Sequence, residues 1–249
     1  MRRKFSFDHI VTFYAFGFFF LCLVILLPFG LIGMIIYFTP FRKAALFWTY
    51  KLAQGWARIS IWMIRSKPRV IGRENIIKKG GLCFVSNHSG MYDIVLLLSY
   101  AGRPFGFIAK KELSFIPFLN IWIPLLGGLF IDRKNPRKAF DTIARGVRRI
   151  QSGGSMLIFP EGTRSQGRGL LPFRAGAFKL ALKSGMPIVP VAIAGSYELY
   201  EKTGLVIRRP VTISFGKPIY AEQAATGADR QSLACDAHRA IEEMLNNEE

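Results

Sequence analysis

The sequence predicts an α/β domain, a mixed and largely buried sheet flanked by helices, attached to an N-terminal membrane-embedded helical segment. Three observations carry that expectation. From residue 67 onward, short apolar runs alternate with segments of helical length and period, as in strands joined by crossover helices. Charged and hydroxyl residues cluster where those apolar runs end, at the positions where an α/β sheet places its ligands. Ahead of residue 67, Ile10 to Phe38 are 29 consecutive positions without a charge, more than the roughly 20 needed to cross a bilayer core. Residues 1–66 are therefore read as the membrane-associated segment, and residues 67–249 as the α/β domain with a C-terminal amphipathic helix.

The first segment lacks the short apolar run and small-residue cleavage site of a signal peptide. Pro28, Gly30 and Gly33 interrupt it, which allows either one kinked span or a helix, turn and helix that enter and leave by one face. Arg2, Arg3 and Lys4 precede the run and Arg42, Lys43 and Lys51 follow it. The positive-inside tendency draws both ends to the cytoplasmic side, which favours a re-entrant hairpin at an inner membrane. Residues Phe41 to Arg65 interleave Trp48, Trp56 and Trp62 with Lys51, Arg58 and Arg65, a mixture suited to the headgroup layer of anionic lipid. A helix packed on the following domain by its other face is compatible with the same pattern.

Within the domain, Gly81 to Val85 reads as a buried strand and Ile94 to Leu98 as a buried helix. Phe105 to Ala109 is a strand, Leu113 to Leu126 an apolar helix interrupted by Pro117 and Pro124, and Gly128 to Ile131 another strand. Asn135 as N-cap and Pro136 at the first position open a helix with Ala139, Ile143, Val147 and Ile150 on one face, and Gly153 closes it. Strands are expected at Met156 to Phe159, Ile188 to Ile193 and Val211 to Phe215, with helices at Ala175 to Ser184 and Arg230 to Leu245.

The formal charge of +18 calls for an anionic partner. Residues 1–70 carry ten basic side chains against one acid, residues 71–218 carry 22 against eight, and residues 219–249 two against seven. No helix-turn-helix or RNA-binding aromatic motif accompanies this charge, so a nucleic acid is not the expected partner. Cys22, Cys83 and Cys235 are odd in number and lack metal-ligand spacing, which argues against a disulfide framework.

The chemistry concentrates in Asn87-His88-Ser89-Gly90-Met91-Tyr92-Asp93. On one helix a five-residue offset would turn the two side chains about 140° apart, so a bend between strand and helix must bring His88 and Asp93 together. An imidazole so paired takes a proton near neutral pH, and the carboxylate fixes its tautomer. Asp93 as the cap of the following helix is an equally direct reading of the same residues. Arg133 follows one apolar strand in Phe130-Ile131-Asp132-Arg133, and Phe159-Pro160-Glu161-Gly162-Thr163-Arg164-Ser165 follows another. Lys110 and Lys111 follow a third. Arginine there suits bidentate contact with phosphate.

These blocks, in this order with Val189-Pro190-Val191 as a fourth, resemble those of the glycerolipid acyltransferase family, in particular its bacterial 1-acylglycerol-3-phosphate acyltransferases, over most of residues 70–218. Phe173-Arg174-Ala175-Gly176-Ala177-Phe178 also resembles the family's basic segment downstream of the third block, although Ala175 stands where a second basic residue is common. The resemblance implies transfer of a fatty acyl group from acyl-CoA or acyl carrier protein to the 2-hydroxyl of lysophosphatidic acid, giving phosphatidic acid for phospholipid biosynthesis. It assigns His88 as general base oriented by Asp93, and Lys110, Arg133, Glu161, Gly162, Thr163 and Arg164 to substrate binding. No metal or other cofactor is implied, and anionic membrane lipids are the expected surroundings. Relatives acting on a lyso-ornithine lipid, a lysophospholipid or glycerol 3-phosphate share these features; a non-catalytic basic membrane module is the alternative of another kind.

Overall fold

The computed structural model describes residues 7–220 and 230–247. Arg2, Arg3 and Lys4, on which the charge argument for a hairpin partly rests, lie outside the described residues, as do Glu222, Asp229, Glu248 and Glu249 of the acidic C-terminal stretch. The strands are β1 (Arg69–Ile71), β2 (Leu82–Ser86), β3 (Gly106–Lys110), β4 (Leu129–Ile131), β5 (Ser155–Ile158), β6 (Ile188–Ala194) and β7 (Thr212–Phe215). They form one sheet in the order β1-β7-β6-β2-β5-β3-β4. β6, β2, β5, β3 and β4 run parallel, whereas β7 pairs antiparallel with β6 and parallel with β1. The sheet is mixed, as expected, and the carboxyl ends of its five parallel strands share one edge.

Both faces are covered, which is why the strands read as continuous apolar runs. Leu82 and Phe84 of β2 face a cluster that includes Tyr50, Ala57 and Ile61 of α3 (Arg42–Met63) and Leu96, Leu97 and Leu98 of α4 (Tyr92–Tyr100). Cys83 and Val85 face the opposite cluster, with Val147 and Ile150 of α6 (Pro136–Gln151), Leu180 of α7 (Lys179–Ser184) and Leu233, Ala237 and Ile241 of α8 (Arg230–Asn246). The expected cap holds: Asn135 Oδ1 accepts from the Lys138 amide at 3.1 Å. The segment read as one helix from Leu113 to Leu126 divides at Pro117. A 3₁₀ turn (Lys111–Phe115) precedes it, and α5 (Leu119–Leu125) starts after Phe118, whose φ is +67°. The helix read from Ala175 likewise begins as a 3₁₀ turn, Ala175–Phe178, before α7.

The N-terminal segment corrects one expectation. α1 (Phe7–Ile25) and α2 (Leu27–Tyr37) are separated only by Leu26, and the chain does not reverse there. Phe19 of α1 packs on Trp56 of α3, and a side chain at Gly33 of α2 would lie 2.6 Å from Thr49 of α3. Contacts thus rise along α1 and α2 as they descend along α3, so both run antiparallel to it and the reversal falls at residues 38–41. Pro28 occupies the first turn of α2, where its missing N–H is tolerated, so it bends the chain instead of turning it. Gly30 and Gly33 serve close helix packing; a Cβ on Gly30 would come 2.9 Å from Leu125. Of the described helices, α1 is long and apolar enough to cross a membrane, and Trp122 ties it to the domain by donating to the Leu23 carbonyl at 3.1 Å. On α3, Tyr50, Ala53, Ala57 and Ile61 are buried, as expected of a helix packed on the domain, while Trp48 and Trp62 remain exposed.

Candidate active site

The turn between β2 and α4 brings His88 and Asp93 together. His88 Nδ1 lies 2.7 Å from Asp93 Oδ2, and the same oxygen accepts from the backbone N–H of Ser89 at 2.8 Å and of Gly90 at 3.0 Å. Asp93 sits in the first turn of α4, fully buried. Capping the turn and orienting the imidazole are therefore one arrangement. Since the carboxylate only accepts, Nδ1 carries the proton and Nε2 presents its lone pair. The ring stacks on Phe159, centroids 4.0 Å apart, and its side chain is 18% exposed, so the imidazole is held yet reachable. Asn87, just before it, clamps β2 to β6 by donating to the Ile193 carbonyl at 2.9 Å and accepting from the Ile193 amide at 2.8 Å.

The loop after β5 closes over this turn. Glu161 Oε1 accepts from the His88 amide at 2.7 Å, and the Ser165 amide donates to the His88 carbonyl at 2.7 Å. Gly162 adopts φ +74°, and its carbonyl accepts from Arg133 Nη1 at 2.5 Å. A Cβ there would meet Arg174 at 3.1 Å and Arg133 at 3.3 Å, so two guanidinium groups converge on this glycine. Burial, and then the facing Arg174, hold the Arg133 pKa below its ordinary value. Like charges kept this close favour a bound anion. Thr163 is exposed at the loop tip. Arg164 pairs with Glu201 at 3.2 Å, and Glu201 Oε1 also accepts from the Met91 amide at 2.5 Å. Lys110 ends β3 in register with Ile131 of β4, on the same sheet edge, and its ammonium lies 3.6 Å from Glu112. Among the described contacts, none joins Lys110 to the histidine cluster.

Glu161 is the titratable outlier. Burial pushes its carboxyl up to about 7, opposed by the amides of His88 and Leu171 and by the His88 ring, with the Asp93 charge acting in the same direction as burial. Its ordinary value is 4.5. Between these values the folded chain holds a proton that the unfolded chain has released, so this stabilisation is present below pH 4.5 and is lost as pH rises through about 7. The loss is at most about 3 kcal/mol. Glu161→Gln stays neutral and still accepts from the His88 amide. Its melting temperature relative to the parent is expected to be higher at pH 8 than at pH 5; an offset equal at both pH values would contradict the assignment.

The sequence did not single out Ser196, Glu201 or the stacking role of Phe159. Ser196 donates to Asp93 Oδ1 and is fully buried. It follows β6 as the other site residues follow their strands, so the strand-end rule would have found it. Glu201 carries no such signal, lying after a further 3₁₀ turn (Ser196–Leu199). Val189-Pro190-Val191 is a stretch of central strand, pairing with β2 through Phe84, Val85 and Ser86, and shapes the core.

A family model described as Acyltransferase matches residues 67–194. The chain is 34% identical over 199 residues to the chloroplastic 1-acyl-sn-glycerol-3-phosphate acyltransferase BAT2 of Brassica napus, covering 78% of this chain and 55% of that protein. It is 39% identical over 155 residues to the 1-acyl-sn-glycerol-3-phosphate acyltransferase of Escherichia coli K12, covering 59% of this chain and 63% of that one. The chain thus spans little more than half the length of the curated relatives it matches. The crystal structure of PlsC, the 1-acyl-sn-glycerophosphate acyltransferase of Thermotoga maritima, superposes with a TM-score of 0.80 at 26% identity, covering 95% of each chain.

Proposed function

Because the chain belongs to the Acyltransferase family, we propose that it moves a fatty acyl group from an acyl thioester to the 2-hydroxyl of lysophosphatidic acid, yielding phosphatidic acid. The His88–Asp93 contact of 2.7 Å carries this reading. It makes a nitrogen base that is fixed in tautomer and partly open to substrate, and the acceptor hydroxyl is the nucleophile that base serves. His88 Nε2 removes the hydroxyl proton as the oxygen attacks the thioester carbonyl. The C–S bond then breaks, and the imidazolium returns the proton to the departing thiolate. Asp93 stabilises the imidazolium between these steps. No acyl-enzyme is required, since the substrate supplies the nucleophile.

Arg133, Arg174 and Arg164 border the loop that covers His88, and this arrangement supports seating the acceptor phosphate there. Glu161 holds the His88 backbone and Gly162 and Thr163 shape the loop. Arg164→Ala is expected to raise the KM for lysophosphatidate about tenfold, as for loss of a charge-assisted contact, with kcat nearly unchanged. An equal rise for an acceptor without phosphate would contradict that role. The exposed apolar faces of α1, α2 and α3 favour work at an inner-membrane surface, cytoplasmic side, where a lipid acceptor need not be extracted into water at about 0.8 kcal/mol per CH₂. Acyl-CoA and acyl carrier protein, both acidic, suit the basic chain as donors, and the base pair and arginines call on no cofactor.

A purified preparation supplied with an acyl thioester and, in turn, lysophosphatidate, glycerol 3-phosphate, a lysophospholipid and a lyso-ornithine lipid tests the proposal. Lysophosphatidate should give the highest kcat/KM. A higher value for any other acceptor would reassign the enzyme within the family, and no thioester consumption with any of them would leave the site a binding module.

A further inference from the structure

The mechanism above uses one oxygen of Asp93; the other is held by a residue that belongs to neither motif. Oδ2 serves the imidazole and the two turn amides of Ser89 and Gly90. Oδ1 accepts from the Ser196 hydroxyl. Both side chains are fully buried, so water does not replace this donor, and the carboxylate plane is defined by a bond to each oxygen. A buried carboxylate oxygen deprived of its donor rotates to seek another, and any rotation about the Cβ–Cγ bond carries Oδ2 away from Nδ1.

The chain around Ser196 is built for close approach. Gly195 takes φ +82°, and a Cβ on it would fall 2.3 Å from the Pro210 carbonyl, so the residue before Ser196 is confined to glycine. On the other side, a Cβ on Gly90 would sit 3.2 Å from the Ser196 carbonyl and 2.8 Å from Glu201 Oε2. The turn bearing the base and the segment leaving β6 thus meet glycine to backbone, with the hydroxyl as the polar link between them.

We infer that Ser196 is a positioning residue for acyl transfer, acting through Asp93 to hold His88 in line with the acceptor hydroxyl. This rests on the general-base reading proposed above. It predicts an effect on turnover and not on substrate binding, because the Ser196 hydroxyl is fully buried and donates to Asp93, and no described side-chain contact joins it to the loop arginines.

The test is a set of variants assayed with lysophosphatidate and an acyl thioester in the full chain. Ser196→Ala should lower kcat about tenfold, the effect of one hydrogen bond to a charged group, with KM for both substrates within about twofold. Ser196→Thr, which keeps the hydroxyl, should recover most of that loss. In an Asp93→Asn background, Ser196→Ala should cost less than about twofold, since the two act as a unit. The inference is overturned if folded Ser196→Ala matches the parent in kcat, if threonine gives no recovery while the variant remains folded, or if the losses multiply in the double variant. If Ser196→Ala does not fold, Ser196→Thr and Ser196→Cys decide: a hydroxyl should turn over faster than a thiol, and equal rates would overturn the inference. His88→Ala in the same series separates the two claims. If it keeps full activity, the general-base reading fails; if it is inactive while Ser196→Ala is normal, only the role of Ser196 fails.

Discussion

His88→Ala is expected to lower kcat for phosphatidate formation by at least about 10²-fold, the usual contribution of a positioned general base, while the chain remains folded. The backbone of residue 88 is bonded independently of its ring: its amide donates to Glu161 and its carbonyl accepts from Ser165. Asp93 keeps three of its donors, the Ser89 and Gly90 amides and the Ser196 hydroxyl. What is lost is the stacking on Phe159 and the only nitrogen base in the cluster. A melt followed by circular dichroism beside the kinetic assay checks this. A variant that fails to fold would make His88 a structural residue, and a folded variant with parental kcat would remove it from the chemistry.

The second large effect concerns the membrane. Phe13 is 76% exposed, Phe20 51%, Ile35 68% and Phe38 82%, and the ring contacts described for the three phenylalanines are with their chain neighbours Tyr14, Phe19 and Tyr37, not with the sheet domain. Replacing all four with glutamate should move most of the protein from the membrane pellet to the supernatant. A charge at bilayer depth costs several kcal/mol by common scales, roughly 3 kcal/mol each. The domain should melt as before, because the contacts that tie α1 and α2 to it run through Leu23, Trp122, Leu125 and Thr49. Undiminished sedimentation would instead assign membrane attachment to α3, whose Trp48 and Trp62 are also exposed.

The strands and the helix opened by Asn135 were legible because apolar period and capping chemistry act over a few residues. The pairing of His88 with Asp93 was legible for the same reason: a strand, a glycine and a helix leave few ways to join them. Three things were not. The direction of the chain through Pro28 depends on packing between α2, α3 and α5, where Gly30 and Gly33 accept neighbours instead of making a turn. The pairing of Arg164 with Glu201 joins residues 37 apart through a segment with no sequence signal. Ser196 reaches Asp93 across 103 residues, a contact that only the strand order β6-β2 creates. Long-range polar contacts of this kind follow from topology, which local pattern does not encode.

The central claim is direct transfer from thioester to acceptor through a base, with no acylated protein. It is tested most directly by following thiol release before and after lysophosphatidate is added to enzyme premixed with acyl thioester. The account predicts that release begins with the acceptor and equals phosphatidate formed, mole for mole. A burst of thiol before the acceptor, stoichiometric with protein, would contradict it.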